Sequence, residues 1–534
     1  MGAFEGTRKH VRLILRRDRI LLPVWVIVLS MFPASFTNSY KTLYDTAAEQ
    51  KEMFEGTAAS ASYVAMFGPA FGSEIGALGA QRTTDVMILV CLASLLTVIR
   101  HTRAEEESGR RELLASTPVG RHAPVTAALA VVFAADLVLG LFAMMGMRSL
   151  DLPATGSLAY GLELTLAGWM FATVGAVAAQ LSASARVTRG IAIAVLAGAF
   201  LLRMAGDSAG RDGGSDWPSW LSPLGWMHRA RAYADERWWV FLLAVALAGV
   251  LTAATYALAS RRDLGAGLVQ PRLGPVDASP ALSGPLGLAW RLHRGTLVAW
   301  SAAFAIGGAM VGGTAKDAAD TVNENGQTRD FLTRLGGDGA LSDTYIAAST
   351  SVFGLVAAAF AIQTVLRLRQ EETGQHAEAL LSTSAGRLRW AGSHLTFTLL
   401  GPAVALVCYG LVGGLIYGAS VSDVGGELPR FLGAAVVQLP AIWVLGAVTM
   451  ALFGRFPSLT VATWAVLGVC FLFGQFGAVF EFDQWLLDVS PFTHVPRLPG
   501  GDLSALPLVL LTVVAIAIGL AGLAGLRRRD IPAG

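Results

Sequence analysis

The residues of this sequence best suited to chemistry are charged residues in a short segment. The same residue types occur in the same order in a second segment of the chain. Glu106, Glu107 and Gly109 are matched about half a chain length later by Glu371, Glu372 and Gly374. If one residue is inserted after the glycine, the matches continue downstream: Glu112, Leu114, Ser116, Thr117, Gly120 and Arg121 recur as Glu378, Leu380, Ser382, Thr383, Gly386 and Arg387. We call 105–121 and 371–387 the first and second repeat segments. Because each segment is charged and lies between two long apolar runs, we expect both segments to meet something outside a membrane.

Each repeat segment is predicted to form a short charged helix with an apolar patch. In the first segment Glu106 lies four residues before Arg110, a spacing that stabilises a helix. Thr117-Pro118 would end that helix. The patch comes from adjacent leucines, which are Leu113, Leu114, Leu380 and Leu381. Such a helix suits docking on a soluble partner; the alternative is a solvated loop whose acids pair with neighbouring arginines.

The composition of the whole chain indicates what must position these segments. Of 534 residues, 54% are hydrophobic and only 15% are charged, with a mean hydropathy of +0.55. Apolar runs of spanning length in such a chain are typical of integral membrane proteins. A net charge of +2 gives no sign of nucleic-acid binding. The three cysteines all lie in apolar runs and have neither metal-ligand nor disulfide spacing.

Hydropathy predicts an all-α membrane protein of twelve spanning helices in two parallel six-helix repeats. The expected domains are a first half (1–265), a linker rich in Gly, Pro and Ser (266–290) and a second half (291–534). The predicted spans are 20–38, 84–101, 124–147, 157–181, 190–205, 238–259, 296–314, 349–367, 391–418, 430–454, 458–480 and 504–526.

An even number of helices per half places both repeat segments on the same side of the membrane. Lys and Arg are concentrated in the loops on that side, which the positive-inside rule assigns to the cytoplasm. We therefore expect a multi-pass protein of the bacterial plasma membrane with both termini cytoplasmic.

Motifs of hydrolytic chemistry do not occur in the sequence. It contains no phosphate-binding G-x-x-x-x-G-K-[ST] loop, no zinc-protease His-Glu pattern and no nucleophile elbow. We therefore expect no catalytic residue, metal or cofactor on this chain.

The order Glu-Glu-x-Gly, Glu-Leu-Leu, Ser-Thr-Pro and Gly-Arg resembles the cytoplasmic loop of type-two ABC exporter permeases. In that family the loop between the second and third helices of a six-helix unit is the coupling helix, which binds a separate ATPase. The double-length form resembles actinobacterial efflux permeases of the tetronasin-resistance type. The resemblance implies a cytoplasmic nucleotide-binding subunit, in two copies, that holds the ATP and Mg. The basic segment 8–19 resembles the family's interfacial connecting helix.

A path for hydrophobic compounds is expected between the halves, by analogy with the family. Its candidate residues are Met31, Phe32, Phe36, Asp136, Phe304 and Met310. Asp136 is distinctive because a carboxylate within an apolar helix usually faces a partner or a cavity. It can meet a cationic substrate or gate water, or it can hydrogen-bond a neighbouring helix.

Two other classes of protein fit part of the pattern. A secondary transporter of the major facilitator type also has twelve helices in two halves, and Ser108-Gly109-Arg110-Arg111 is similar to its loop motif. The second repeat segment has no such arginine pair, however. A membrane scaffold or sensor without transport is the third interpretation. For a transporter, the residues leave the cargo open among drugs, lipids and glycans.

Overall fold

The computed structural model describes residues 2–110, 119–211, 216–263, 265–269, 277, 279–282, 284–324, 340–476 and 483–530. All regular secondary structure in these ranges is helical. They contain twelve helices that are long and apolar enough to cross a membrane, which confirms the predicted fold class and number of spans. The chain divides into two compact units, Met1–Gly274 and Pro275–Gly534.

The first unit contains six of the twelve spans. Its described helices are α1 (Thr7–Arg17), α2 (Leu21–Leu43), α3 (Ala47–Ala59), α4 (Ala61–Phe67), α5 (Ile75–Arg82), α6 (Thr84–His101), α7 (Arg103–Glu107), α8 (Ala123–Arg148), α9 (Ala154–Leu181), α10 (Ala185–Arg211), α11 (Trp217–Trp220), α12 (Pro223–Arg229) and α13 (Trp239–Ser260). Helices α6 and α7 together form one span.

The second unit contains the other six spans. Its described helices are α14 (Pro285–Glu324), α15 (Ala340–Thr373), α16 (His376–Leu381), α17 (Arg387–Ser420), α18 (Val424–Val436), α19 (Leu439–Arg455), α20 (Thr463–Phe476), α21 (Gln484–Leu487) and α22 (Ala505–Arg528). Helices α18 and α19 together form one span, and short 3₁₀ turns cover Pro280–Leu282, Pro457–Ala462 and Pro491–His494.

Helix α9 is the centre of the first unit, where it packs against α6, α8 and α13. Its crossing with α8 depends on two glycines: a Cβ on Gly140 would lie 2.3 Å from the carbonyl oxygen of Gly161. Small residues allow such close approach, which is the usual way in which membrane helices associate. The buried core of the unit surrounds this crossing. The rigid body so formed fixes the helix ends from which the first repeat segment extends.

Helices α14 and α17 form the closest pair in the second unit. Gly312 lies against Gly413, where an added Cβ would be 2.3 Å from the Gly413 carbonyl oxygen. We call the end of each unit that carries its repeat segment the motif end, and the opposite end the far end. At the motif end, α14 runs on without a break, whereas the corresponding helix of the first unit is divided into α1 and α2 at Asp18.

Candidate functional site

Glu106 is the anchor of the first repeat segment at the motif end. Its carboxylate lies 2.8 Å from Arg103 Nη1 and accepts hydrogen bonds of 2.9 Å from both Nη atoms of Arg262. The Glu106 side chain is only 1% exposed. Burial lowers the pKa of Arg262 from its usual value, so this cation depends on its carboxylate partner. Glu106 is therefore held inside the unit and does not face a partner.

Arg103 extends this anchor to other elements. Its side chain is fully buried, and its Nε and Nη2 donate to the carbonyl oxygen of Ala179 near the end of α9. It also donates to the carbonyls of Gly265 and Ala266, which follow α13. No sequence pattern singled out Arg103. Arg262 was detectable, because the triplet Arg-Arg-Asp at 261–263 recurs at 528–530.

Glu107 has a different role from its neighbour. Its carboxylate accepts a 2.9 Å hydrogen bond from the backbone N–H of Ala185, the first residue of α10. A carboxylate at this position satisfies a free N–H group and interacts favourably with the helix dipole. Glu107 is nevertheless exposed, so part of its carboxylate faces solvent. Of the two adjacent glutamates, Glu106 is therefore the buried anchor, and Glu107 caps a helix at the surface.

The second unit repeats the anchor with related residues. Glu372 pairs with Arg529 at 2.7 Å, and the Arg529 guanidinium lies 5.0 Å from the centroid of the Phe453 ring. The backbone around each anchoring arginine is held in the same way. Arg387 donates to the carbonyl oxygen of Arg529 at 2.6 Å, and Arg121 donates to that of Arg262 at 2.6 Å. In both units, the repeat segment is therefore fastened to the residues that end the last spanning helix.

These anchors correct the alignment of the two repeat segments. Since Glu106 and Glu372 make equivalent ion pairs, they correspond to each other without any insertion. The backbone supports the same correspondence three residues later. Gly109 and Gln375 both have left-handed conformations, with φ of 71° and 59°. The inserted residue of the sequence alignment is therefore wrong, because it matched Gly109 with Gly374 by residue type.

The predicted docking residues differ in what they face. Glu378 is exposed on α16, whereas Leu380 and Leu381 pack partly buried against the core of their own unit. These two leucines therefore fasten α16 to its unit. Glu371 pairs with Arg367 at 2.7 Å. Three predicted residues, Glu112, Leu113 and Leu114, lie outside the described residues.

Helix α1 connects the N-terminal segment to the same assembly. It packs on α8, and its Arg17 pairs with Glu105 at 2.6 Å. Asp18, which follows α1, is buried and accepts a 2.6 Å hydrogen bond from His101, with Arg100 at 3.1 Å. The charge of this basic helix is thus partly compensated by the first repeat segment. Asp18 was not recognised from the sequence.

Asp136 lies between three helices of the first unit. Its side chain is fully buried, and one carboxylate oxygen accepts a 2.7 Å hydrogen bond from Ser94 on α6. Its other oxygen has no hydrogen-bond partner among the described residues. On α9, a Cβ added at Gly168 would lie 2.5 Å from the carboxyl carbon. This enclosed position favours the interpretation in which Asp136 bonds a neighbouring helix.

We expect Asp136→Asn to fold and transport like the natural protein, because an amide has the same shape and can still accept from Ser94. Gly168→Ala should destabilise the protein by about 1–3 kcal/mol through overpacking. Thermal unfolding and a transport assay check both variants. Lost transport by a stable Asp136→Asn protein would restore the substrate or gating interpretation.

The aromatic and methionine candidates are divided between surface and interior. Phe304 is 1% exposed and contacts Phe353 edge to face at 5.4 Å between ring centroids. Met310 is partly buried, whereas Met31 is 65% exposed. Phe32 is also exposed and stacks on the half-buried Phe36 at 5.9 Å.

Met31 also lines an apolar groove between α2 and α8. The groove has a volume of about 440 Å³, and its walls include Ile27, Ala34, Phe142 and Gly146. Two hydroxyl side chains, Ser30 and Ser35, complete it. Such a surface can hold a flexible apolar molecule. Among the described residues, no group of three or more His, Cys, Asp or Glu side chains is placed to hold a metal ion.

Comparison with known proteins agrees with this architecture. A family model described as "Multidrug efflux system permease Rv1217c, C-terminal domain" matches residues 8–258 and 282–527, one range in each unit. The multidrug efflux system permease protein Rv1217c of Mycobacterium tuberculosis (strain ATCC 25618 / H37Rv) is 45% identical over 531 residues. That alignment covers 99% of this chain and 96% of the relative. The chain therefore belongs to this family of multidrug efflux system permeases.

Proposed function

We propose that this chain is the membrane subunit of an ATP-driven exporter of hydrophobic compounds in the bacterial plasma membrane. A separate ATPase, bound in two copies, supplies the energy and holds the ATP and Mg. The chain itself has no catalytic role. Family membership supports export of several drugs, since the relative is named a multidrug efflux system permease.

The observation that carries this proposal is the matching anchorage of the two repeat segments. Glu106 and Glu372 fix their segments to Arg262 and Arg529, so a force on either segment reaches the last spanning helix of its unit. A loosely held loop would absorb such a force by moving alone. The anchorage thus suits segments through which a partner moves helices, because ion-pair networks and rigid helices can carry energetic coupling between distant sites.

The residues beside each anchor form the proposed docking surface. In the first unit they are exposed residues within 107–110, and in the second unit exposed residues within 373–378. We infer from the excess of Lys and Arg at the motif end that this surface faces the cytoplasm. The two surfaces differ in charge, since Arg110 corresponds to His376 and Glu107 to Thr373. We therefore expect the two ATPase copies to make unequal contacts.

The groove beside Met31 supports a hydrophobic cargo. Its lining offers apolar contacts and two hydroxyl groups, and none of the described residues that line it is charged. An adaptable surface of this kind accepts compounds of different shapes. Export of drugs, rather than of one polar metabolite, fits this lining.

Transport in inside-out vesicles tests the proposal. We expect ATP-dependent accumulation of the lipophilic dye rhodamine 123 only when permease and ATPase are present together. A protonophore should leave accumulation unchanged, because ATP is the energy source. Accumulation without the ATPase, driven by a proton gradient, would instead identify a secondary transporter. The control is a complex whose ATPase binds but does not hydrolyse ATP.

A further inference from the structure

A second polar site lies at the far end of the first unit, and none of its lining residues belongs to a repeat segment or to the groove. It is a cavity of about 40 Å³ between α5, α6, α9 and the loop that follows α12. A buried water needs about 10–15 Å³ of such space. The cavity therefore accommodates a few water molecules or one small ion, and drug-sized compounds are excluded.

Gln81 lines this cavity with an oxygen that lacks a partner. The side chain is 5% exposed, and its Nε2 donates a 2.6 Å hydrogen bond to the carbonyl oxygen of Gly68. This bond fixes the orientation of the amide. Its Oε1 accepts no hydrogen bond among the described residues. A buried oxygen in this state requires an occupant that attracts it.

Glu163 provides a buried carboxylate at the same cavity. It is 8% exposed, and among the described residues it accepts one hydrogen bond, from the backbone N–H of Ala232 at 3.3 Å. No cationic side chain lies within 4.0 Å of it in the described part of the chain. Because a buried carboxylate without a counter-charge is costly, Glu163 calls for a positive charge, and no described side chain forms an ion pair with it.

The neighbouring basic residues do not supply that charge. Arg231 lines the cavity, but its guanidinium lies over the ring of Phe71, 4.6 Å from the ring centroid, and forms no ion pair with Glu163 within 4.0 Å. Burial and the nearby Arg203 and Arg229 lower the pKa of His228 well below its usual value. His228 is therefore neutral at physiological pH and offers a lone pair.

The loop that closes the cavity is held in an unusual backbone conformation. Arg231, Tyr233 and Asp235 all have positive φ values, from 58° to 64°. The Tyr233 ring packs directly against Gly76 and Gly156. A Cβ atom added to either glycine would lie 2.7 Å or 2.2 Å, respectively, from the ring. Strained residues persist only where the surroundings fix them. The cavity is thus maintained by packing and does not simply collapse around Glu163.

We propose that this cavity binds one monovalent metal cation of the sodium class, between the Glu163 carboxylate and the Gln81 amide oxygen. Three residues that carry hydroxyl groups, Thr83, Thr84 and Tyr160, line the same space. Oxygen ligands of these types suit hard cations. One carboxylate balances a single charge, whereas calcium sites usually gather several. The cation completes the far end of the unit and secures α9 to the loop after α12.

Cation-dependent stability of the full-length permease tests this site without the ATPase. Unfolding is followed by tryptophan fluorescence while sodium chloride replaces choline chloride at constant ionic strength. We expect a saturable rise in the unfolding temperature of at least about 2 °C, together with binding of ²²Na⁺. Glu163→Gln should abolish both effects. The matched control is Glu52→Gln, which changes an exposed glutamate at the same end.

A second variant keeps the test decisive if Glu163→Gln fails to fold. Glu163→Asp keeps the charge but withdraws it by one methylene, so we expect about tenfold weaker sodium binding. Stability that responds to pH but not to sodium would show that the site binds only a proton or water, and would overturn the proposal. Equal responses of the natural protein and Glu163→Gln to sodium would also overturn it. Neither outcome bears on ATP-driven export.

Discussion

Glu106→Ala is expected to be the most damaging substitution at the motif end. It removes the carboxylate that Arg103 and Arg262 share, and both buried guanidinium groups lose the ion pair that this carboxylate makes. Breaking a buried ion pair on one side costs about 3–5 kcal/mol. We therefore expect a large loss of folded permease and a strongly lowered unfolding temperature, measured on detergent-purified full-length protein.

Glu107→Ala is the matched control for this experiment. It changes an adjacent glutamate in the same helix, but that side chain is exposed and caps α10 by one hydrogen bond. Loss of a helix cap costs about 0.5–2 kcal/mol. The folded protein should therefore survive. Similar losses for the two variants would contradict the assignment of Glu106 as anchor and Glu107 as cap.

The second large effect is expected from the Glu372–Arg529 pair, because it joins the proposed docking surface of the second unit to the end of the last helix. Glu372→Gln leaves Arg529 without its carboxylate partner, in a position only 15% exposed. If the coupled state is weakened by about 1.4 kcal/mol, the equilibrium constant for forming it falls tenfold. We therefore expect substrate to stimulate ATPase activity at least tenfold less in this variant. The complex with the ATPase should still assemble.

A double-mutant cycle separates this ion pair from simple packing. Arg529→Gln also removes the contact with Phe453, so it should reduce coupling more than Glu372→Gln does. If the pair carries the effect, the double variant will be no worse than Arg529→Gln alone. Additive losses would mean that the two residues act independently.

The spanning helices were predictable because their signal is a long apolar run. Their exact ends were not, as α10 shows. The prediction of 190–205 stopped short of an observed helix of Ala185–Arg211. Arg203 lies within this helix, fully buried, and donates to the carbonyls of Ala65 and Met66. Hydropathy counts such an arginine as unfavourable, because it does not register the distant partners that compensate its charge.

The roles within the repeat segments were less predictable. The sequence shows Glu106 and Glu107 as equivalent neighbours, and their partners Arg262 and Ala185 are remote along the chain. The left-handed conformation shared by Gly109 and Gln375 also has no sequence signature, since glutamine rarely adopts it. Asp136 stood out by residue type, yet only the packing of Ser94 and Gly168 around it indicates its role.

Site-specific cross-linking tests the central claim most directly. A photoreactive residue is placed at Ser108 or Gln375, which lie on the two proposed docking surfaces, and at Glu52 as an exposed far-end control. We predict cross-links to the ATPase subunit from both docking positions and none from position 52. Cross-links from position 52 alone, or none from 108 and 375 in an assembled complex, would contradict coupling through the repeat segments.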